Sequence, residues 1–360
     1  MNYRARVERL AAGLADQQVD ALLITDLTNV RYLTGYTGSN GAVVTTPSGS
    51  VFLTDFRYLE RVAPLREFID VRQAKQDLIG FVSTRWAELA PGAARVGFES
   101  VHLSYAAHAL LAEAAGNVEL VGVAGAVEGL RIVKDDQEIE AIRRAAAILE
   151  PVYAQLAGEG LAGRTEFDVA WRVRELVREH GGDGIAFDSI VASGAAGALP
   201  HAEPRREAIA PGSMVTIDIG AVLDGYHSDC TRTFATGPVP DQLGEVYELV
   251  LRAQLAGLDA VRPGVTGKDA DAVVRGIITE AGHGEHFQHG TGHGVGLQIH
   301  EDPRISVTYP ATLQHGMVVT VEPGVYLPGV GGVRIEDLVV VTADGCERLT
   351  GYPKELITAG

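Results

Sequence analysis

The sequence predicts a chain in two parts: a small α/β domain over residues 1–130, then an α+β domain over residues 131–360 whose two halves repeat one another. Three observations carry this reading. Strand-like and helix-like patterns alternate through the first third of the chain. A charged, helix-forming segment, KDDQEIEAIRRAAAILEPVYAQL, opens where that alternation stops. Beyond it, three short segments recur in the same order, 101, 99 and 104 residues apart.

In the first part, Val7, Leu10, Ala11 and Leu14 fall on one face of an opening helix. DALLITD is an apolar run of strand length, and GAVVTTPSGSVFLTD reads as two strands around a Pro-Ser-Gly turn. A helix is expected to begin near Asp55. ARVGFES and VELVGV read as further strands, with a helix around residues 104–115 between them. The boundary falls between Leu130 and Asp136, where one long helix starts with Asp135 or Asp136 as its N-cap.

The second part holds the repeat. Thr165-Glu-Phe-Asp168 and Thr266-Gly-Lys-Asp269 each open an amphipathic helix that ends at Gly after about four turns. His201-Ala-Glu-Pro204 matches His300-Glu-Asp-Pro303, and Gly212-Ser-Met-Val-Thr-Ile-Asp218 matches Gly316-Met-Val-Val-Thr-Val-Glu322. Two related halves would set Asp218 opposite Glu322 and His201 opposite His300, with a ligand site at their junction.

The totals exclude several classes of function. A net charge of −17 argues against a nucleic-acid partner and against an anionic membrane surface. Cys230 and Cys346 provide neither a disulfide framework nor a zinc spacing, which points to a reducing compartment. The N-terminal stretch has no apolar signal core and no stretch is long enough to span a membrane, so a cytoplasmic location is expected.

Chemistry concentrates in Asp218, Asp229, His293, Glu322 and Glu336, each in a strand-like or glycine-rich segment. VTIDIGAVLDGYHSDCTRTF reads as a β-hairpin around Asp224-Gly225. A two-residue turn makes Asp218 and Asp229 diagonal neighbours, and a turn centred one residue earlier makes them directly opposed. Either register leaves both on one face. Paired acids in an Ile/Val-rich strand repel and lose hydration, so they need compensation by a metal or by hydrogen bonds and solvent. HGTGHGVGLQIHEDP carries His289, His293 and His300 among glycines that let the backbone bend or approach a ligand closely. VVTVEPGVY sets Glu322 at a strand end before Pro-Gly, and GGVRIEDLVVV sets Glu336 inside an apolar strand, with Arg334 two residues away as an ion-pair partner. Four carboxylates and one imidazole match the needs of two divalent ions and point to metal-assisted hydrolysis.

These segments, together with ALPHAEP, resemble the metallopeptidases of the pita-bread fold: aminopeptidase P, prolidase and methionine aminopeptidase. The complete N-terminal α/β domain is similar to that of the proline-specific branch. TDLTNVRYLTGYTGSNG and FLTDFRY look more like bacterial aminopeptidase P than prolidase. The resemblance implies that Asp218 holds one metal, that Asp229 and Glu336 bridge both, and that His293 and Glu322 complete the second. It makes His201 and His300 catalytic imidazoles beside the metals, with Glu322 also shuttling the proton. His289, Arg304 and Arg334 are the substrate-binding candidates: His289 lining the pocket, Arg304 meeting a substrate carboxylate unless it is simply ion-paired. The expected function is an Xaa-Pro aminopeptidase acting on peptides with proline in second position. An Xaa-Pro dipeptidase is the alternative, and a non-catalytic peptide-binding module or a creatine-type hydrolase is more remote, because all five ligand positions are filled. The carboxylate-rich set favours Mn²⁺, with Co²⁺, Zn²⁺ or Fe²⁺ as alternatives, and the resemblance implies a homodimer.

Overall fold

The computed structural model describes residues 1–360 as two units, Met1–Arg131 and Ile132–Gly360. The first is built on a six-stranded mixed sheet whose spatial order is Asp70–Gln73, Gly49–Thr54, Gly41–Thr46, Ala21–Ile24, Arg95–Glu99 and Glu119–Val123. Ala21–Ile24 is apolar throughout because it is buried throughout, with an antiparallel neighbour on one side and a parallel one on the other. The opening helix is Tyr3–Ala12, and the helix between the last two strands is Tyr105–Glu113.

The helix expected near Asp55 does not form. That segment holds only 3₁₀ turns, Phe56–Tyr58 and Ala63–Glu67. Asp55 caps the first turn through Arg57 N, but the same buried carboxylate also takes the Arg57 guanidinium and the Asn40 amide, and Pro64 keeps the second turn from extending back into a regular helix. The pattern reading also passes over the helix Leu27–Thr34, although Asp26 caps its start and Gly35, at φ 76°, closes its end.

The second unit opens with the helix Asp136–Ala147, capped by Asp135 in a reciprocal box with Glu138. The single long helix expected here is two helices, because the chain breaks at Ile148 and resumes as Leu149–Glu159. Pro151 has no N–H to continue the first helix, and a helix tolerates proline in its first turn.

The repeat has a physical form. Glu166–Glu179 and Gly267–Glu280 are both 14 residues long. In each, the capping threonine hydroxyl accepts from the aspartate N–H at 3.0 Å and donates to that aspartate's carboxylate at 2.7 Å. Each half then contains a long, interrupted hairpin. One pairs Met214–Ile219 with Cys230–Ala235, and the other pairs Val318–Val321 with Asp337–Val341. The inner faces of the strands pack on the helices through Val215, Ile217 and Ile219 in the first half and Val319, Val321 and Val339 in the second. This is the pita-bread architecture. No helix is long and apolar enough to cross a membrane.

Candidate metal centre

Both hairpins interrupt their pairing where the acids stand. In the first, Leu223 pairs with Tyr226 around Asp224-Gly225, whose φ values of 49° and 74° suit a tight two-residue turn. The same register continues on the far side of the interruption, where Asp218 faces Thr231. Asp229 therefore stands diagonal to Asp218, the first of the two registers considered from sequence. In the second hairpin, Val321 pairs with Asp337 and Gly324 with Arg334, leaving Glu322 and Glu336 in the gap. Glu336 was expected inside a strand. It lies between two strands instead, because its N–H leaves its own hairpin to donate to the Thr231 carbonyl in the other half.

His293 comes from the short strand Gly292–Gly294, between Glu301–Ile305 and Val318–Val321. Its glycine neighbours serve the packing of strands rather than a ligand. A Cβ at Gly292 would strike the Thr320 carbonyl, and one at Gly294 would strike that of Asp302.

These elements bring ligand atoms of Asp229, His293 and Glu336 within 4.8 Å of one another. His293 Nε2 is 3.5 Å from Asp229 Oδ2 and 3.4 Å from Glu322 Oε1. Asp218 enters from the adjacent strand and accepts from Arg334 Nη2 at 2.8 Å. Two threonine hydroxyls orient the acids: Thr231 donates to Glu336 Oε2 at 2.7 Å, and Thr320 donates to Glu322 Oε1 at 3.1 Å. Each threonine stands two residues from an acid on its own chain segment (Asp229 and Thr231, Thr320 and Glu322), so strand alternation was the signal that would have found them.

The electrostatics are those of a site short of positive charge. Burial, then the neighbouring Glu336, Asp218 and Glu322, drive the Asp229 carboxyl well above its ordinary range. Burial, then Glu322 and Asp218, do the same to Glu336. Glu322 is pushed up to about 7, by burial first. Burial and the adjacent His300 hold His293 down at about 3, so its imidazole is neutral. His293 Nδ1 faces the Gly294 carbonyl at 3.1 Å, and a carbonyl only accepts, so Nδ1 carries the proton. Nε2 therefore turns its lone pair toward two carboxylates. Asp218 Oδ1, Asp229 Oδ1 and Glu336 Oε1 are buried without any hydrogen-bond partner. A lone pair facing carboxylates and three orphaned acid oxygens repel one another unless cations lie among them, so these residues fit divalent metal ions.

All ten sequence-derived site residues line one cavity of about 500 Å³. The His300 ring packs edge-on against His293, with centroids 4.4 Å apart. His201 and His300 are exposed at the cavity wall. Arg304 pairs across strands with His293 and meets only Asp302, at 3.7 Å, so its guanidinium remains accessible. His289 Nδ1 donates to the Gly290 carbonyl, and its Nε2 accepts from the Tyr326 hydroxyl at 2.9 Å. Arg334 stands at the inner wall of this cavity. It is buried, and its guanidinium donates to Asp218, Thr231 Oγ1, the Tyr326 hydroxyl and the Pro200 carbonyl, not to Glu336. It braces Asp218 directly and Glu336 through the Thr231 hydroxyl. Tyr326, which joins His289 to Arg334, carries no signal in local sequence.

The chain matches the model of metallopeptidase family M24 over residues 140–343 and that of the Creatinase/Prolidase N-terminal domain over residues 6–133. It is 41% identical over 352 residues to the uncharacterized peptidase YqhT of Bacillus subtilis, covering 98% of this chain and 99% of that one. Among solved structures it is similar to an Xaa-Pro dipeptidase from Bacillus anthracis, with a TM-score of 0.96 at 39% identity, covering 99% of this chain and 100% of that one. It is also similar to an X-Pro aminopeptidase from Thermotoga maritima MSB8, with a TM-score of 0.87 at 34% identity, covering 98% and 99% of the two chains. With the repeated hairpins, the converging acid and imidazole residues and these matches in place, the chain belongs to metallopeptidase family M24 and carries the creatinase/prolidase type of N-terminal domain.

Proposed function

We propose that this protein hydrolyses the Xaa-Pro peptide bond with a dinuclear metal site, and that it does so as an Xaa-Pro dipeptidase. The observation that carries the metal site is the cluster of orphaned acid oxygens around the His293 Nε2 lone pair. The dipeptidase reading takes precedence over the aminopeptidase reading suggested by sequence because the Bacillus anthracis structure bears that name and matches at a TM-score of 0.96, against 0.87 for the aminopeptidase. The aminopeptidase is retained as the second reading on the strength of that same Thermotoga similarity.

Asp218, Asp229, His293, Glu322 and Glu336 would hold the ions, with Mn²⁺ first among the metals suited to this oxygen-rich set. When bound, the ions would polarise the scissile carbonyl and activate water near neutral pH. The remaining work belongs to the chain, all within residues 131–360. Glu322 takes the proton from the attacking water and delivers it to the departing prolyl nitrogen. That nitrogen is tertiary and has no N–H, so a pocket that grips an extended backbone N–H cannot recognise it. His201 and His300, exposed at the cavity wall, hydrogen-bond the oxyanion as it develops, and so favour the tetrahedral state over the substrate. Arg304 meets the free carboxylate of a dipeptide.

The test is to strip the protein of metal, reload it with Mn²⁺, and compare an Xaa-Pro dipeptide with the same sequence extended by two residues. Cleavage of the dipeptide alone supports the proposal. Faster release of the first residue from the longer peptide makes the protein an aminopeptidase. Bound metal with no cleavage of either peptide leaves a peptide-binding module.

A further inference from the structure

Each half of the second unit contains a buried carboxylate that does none of the chemistry above and grips the loop carrying an imidazole. In the second half this is Asp271, fully buried on the helix Gly267–Glu280. Arg275, one turn later, donates to it twice, Nε to Oδ2 at 2.8 Å and Nη2 to Oδ1 at 2.9 Å. The same guanidinium reaches beyond the helix to the carbonyls of Phe287 and His289, at 2.8 and 2.7 Å. Asp271 Oδ1 also accepts from Thr291 N and Thr291 Oγ1, at 3.1 and 2.8 Å. The pair thus holds residues 287–291 at both ends. The grip continues inward, because the Thr291 carbonyl accepts from the N–H of Glu322 at 2.8 Å.

In the first half the device is Glu166, also fully buried, at the start of the helix Glu166–Glu179. It accepts from Ser193 N and Oγ, both at 2.7 Å, and from Arg205 N, Nε and Nη2 at 2.9, 2.9 and 2.7 Å. This closes the segment 193–205, which carries His201. The Glu166 clamp grips Ser193, at the end of the strand Ile190–Ser193 far from where Ile190 pairs with Asp218, and the loop at Arg205, whereas the Asp271 clamp ends on the backbone of a metal-ligand candidate.

An i,i+4 pair that served only its own helix would contribute a few tenths of a kcal/mol and point along the helix surface. Here the donors and acceptors of both pairs are directed at loop backbone. We infer that Asp271–Arg275 and Glu166–Arg205 are positioning pairs, the first setting His289 and the metal affinity of Glu322, the second setting His201 alone. This rests on the metal-centre reading above.

The experiment uses full-length Asp271→Asn, Arg275→Lys and Glu166→Gln. In Asp271→Asn the amide loses the ionic grip on Arg275. In Arg275→Lys a single ammonium cannot span the carboxylate and two carbonyls as the guanidinium fork does. Mn²⁺ affinity is measured by calorimetry on metal-stripped protein without substrate, kcat and KM on Mn²⁺-saturated protein, and Tm on both. Asp271→Asn and Arg275→Lys should weaken Mn²⁺ binding by about 10–100-fold and lower kcat at saturating Mn²⁺ by a similar order. Glu166→Gln should lower kcat while Mn²⁺ affinity stays within about twofold of the parent. If Asp271→Asn does not fold, Arg275→Lys, which keeps the charge, decides. Mn²⁺ affinity and kcat unchanged in the second-half variants, with only Tm reduced, would overturn the inference and leave the pairs as supports of the fold. A parent protein that binds no Mn²⁺ overturns the metal reading itself, and the clamp with it.

Discussion

His293 and Glu322 are joined through Thr320: Nε2 lies 3.4 Å from Oε1, and the Thr320 hydroxyl accepts from the His293 N–H at 3.0 Å while donating to the same Oε1 at 3.1 Å. One hydroxyl thus sets the spacing of two metal-ligand candidates from different strands. Thr320→Val keeps the shape and removes both bonds. We expect Mn²⁺ affinity to fall by about 10–100-fold and unfolding free energy by about 1–3 kcal/mol. Calorimetry and denaturant titration measure the two effects separately, and an unchanged metal affinity would make Thr320 a packing residue.

Removing a ligand differs from removing an imidazole beside the ligands. His293→Ala and Asp229→Ala should lose metal and activity while circular dichroism stays that of the folded parent. His201→Ala should keep its metal and lose about 10²-fold in kcat, as for an oxyanion donor. Metal content measured alongside kcat separates the cases. Near-parental turnover by metal-free Asp229→Ala would end the dinuclear proposal.

The metal-free protein should become more stable on acidification from about pH 8 to about pH 6.5. Glu322 in the folded state titrates at about 7, above the 4.5 of a free glutamate, and Asp229 and Glu336 shift in the same direction. These carboxyls bind more protons folded than unfolded, whereas His293 and His289, held at about 3 and about 4 against 6.5 when free, bind fewer below 6.5; the two contributions oppose each other there, and above 6.5 the carboxyls prevail, so stability falls as pH rises from about 6.5 through 7. With Mn²⁺ bound the trend reverses, because protons compete with the ion for the same oxygens. Thermal melts of stripped and loaded protein from about pH 6.5 to about pH 8 test both slopes, and parallel slopes would contradict the argument.

A separate prediction concerns stability alone. Asp337 is fully buried and accepts from Arg232 at 2.8 Å, Lys354 at 2.8 Å, Thr350 at 2.9 Å and Gln254 at 3.1 Å. Burial opposes its charge, yet Arg232 and Lys354 hold the carboxyl below its ordinary range. Asp337→Ala strands the buried Arg232 guanidinium without its counter-charge, and should cost about 3–5 kcal/mol in denaturant unfolding. A loss below about 1 kcal/mol would place it among exposed pairs.

The sequence by itself determined the identity of the five acid and imidazole residues, the face shared by Asp218 and Asp229, and the repeat that sets one half against the other. These follow from local rules: side chains two apart on a strand share a face, Asp-Gly fixes a hairpin turn, and a threonine three residues before an aspartate caps a helix. Tertiary structure decided what those rules do not reach. Arg334 pairs with Asp218, 116 residues away, rather than with Glu336, its near neighbour in sequence. Glu336 leaves its strand because Thr231 of the other half takes its N–H and donates a hydroxyl to its side chain. The helix expected at Asp55 is lost to a buried carboxylate bonded to Asn40 and Arg57, and Asp271 and Glu166 read locally as ordinary helix acids until the loops they grip fold over them. In each case the partner was chosen by burial, where a polar group must be satisfied by whatever the fold brings within about 3 Å, whatever its distance along the chain.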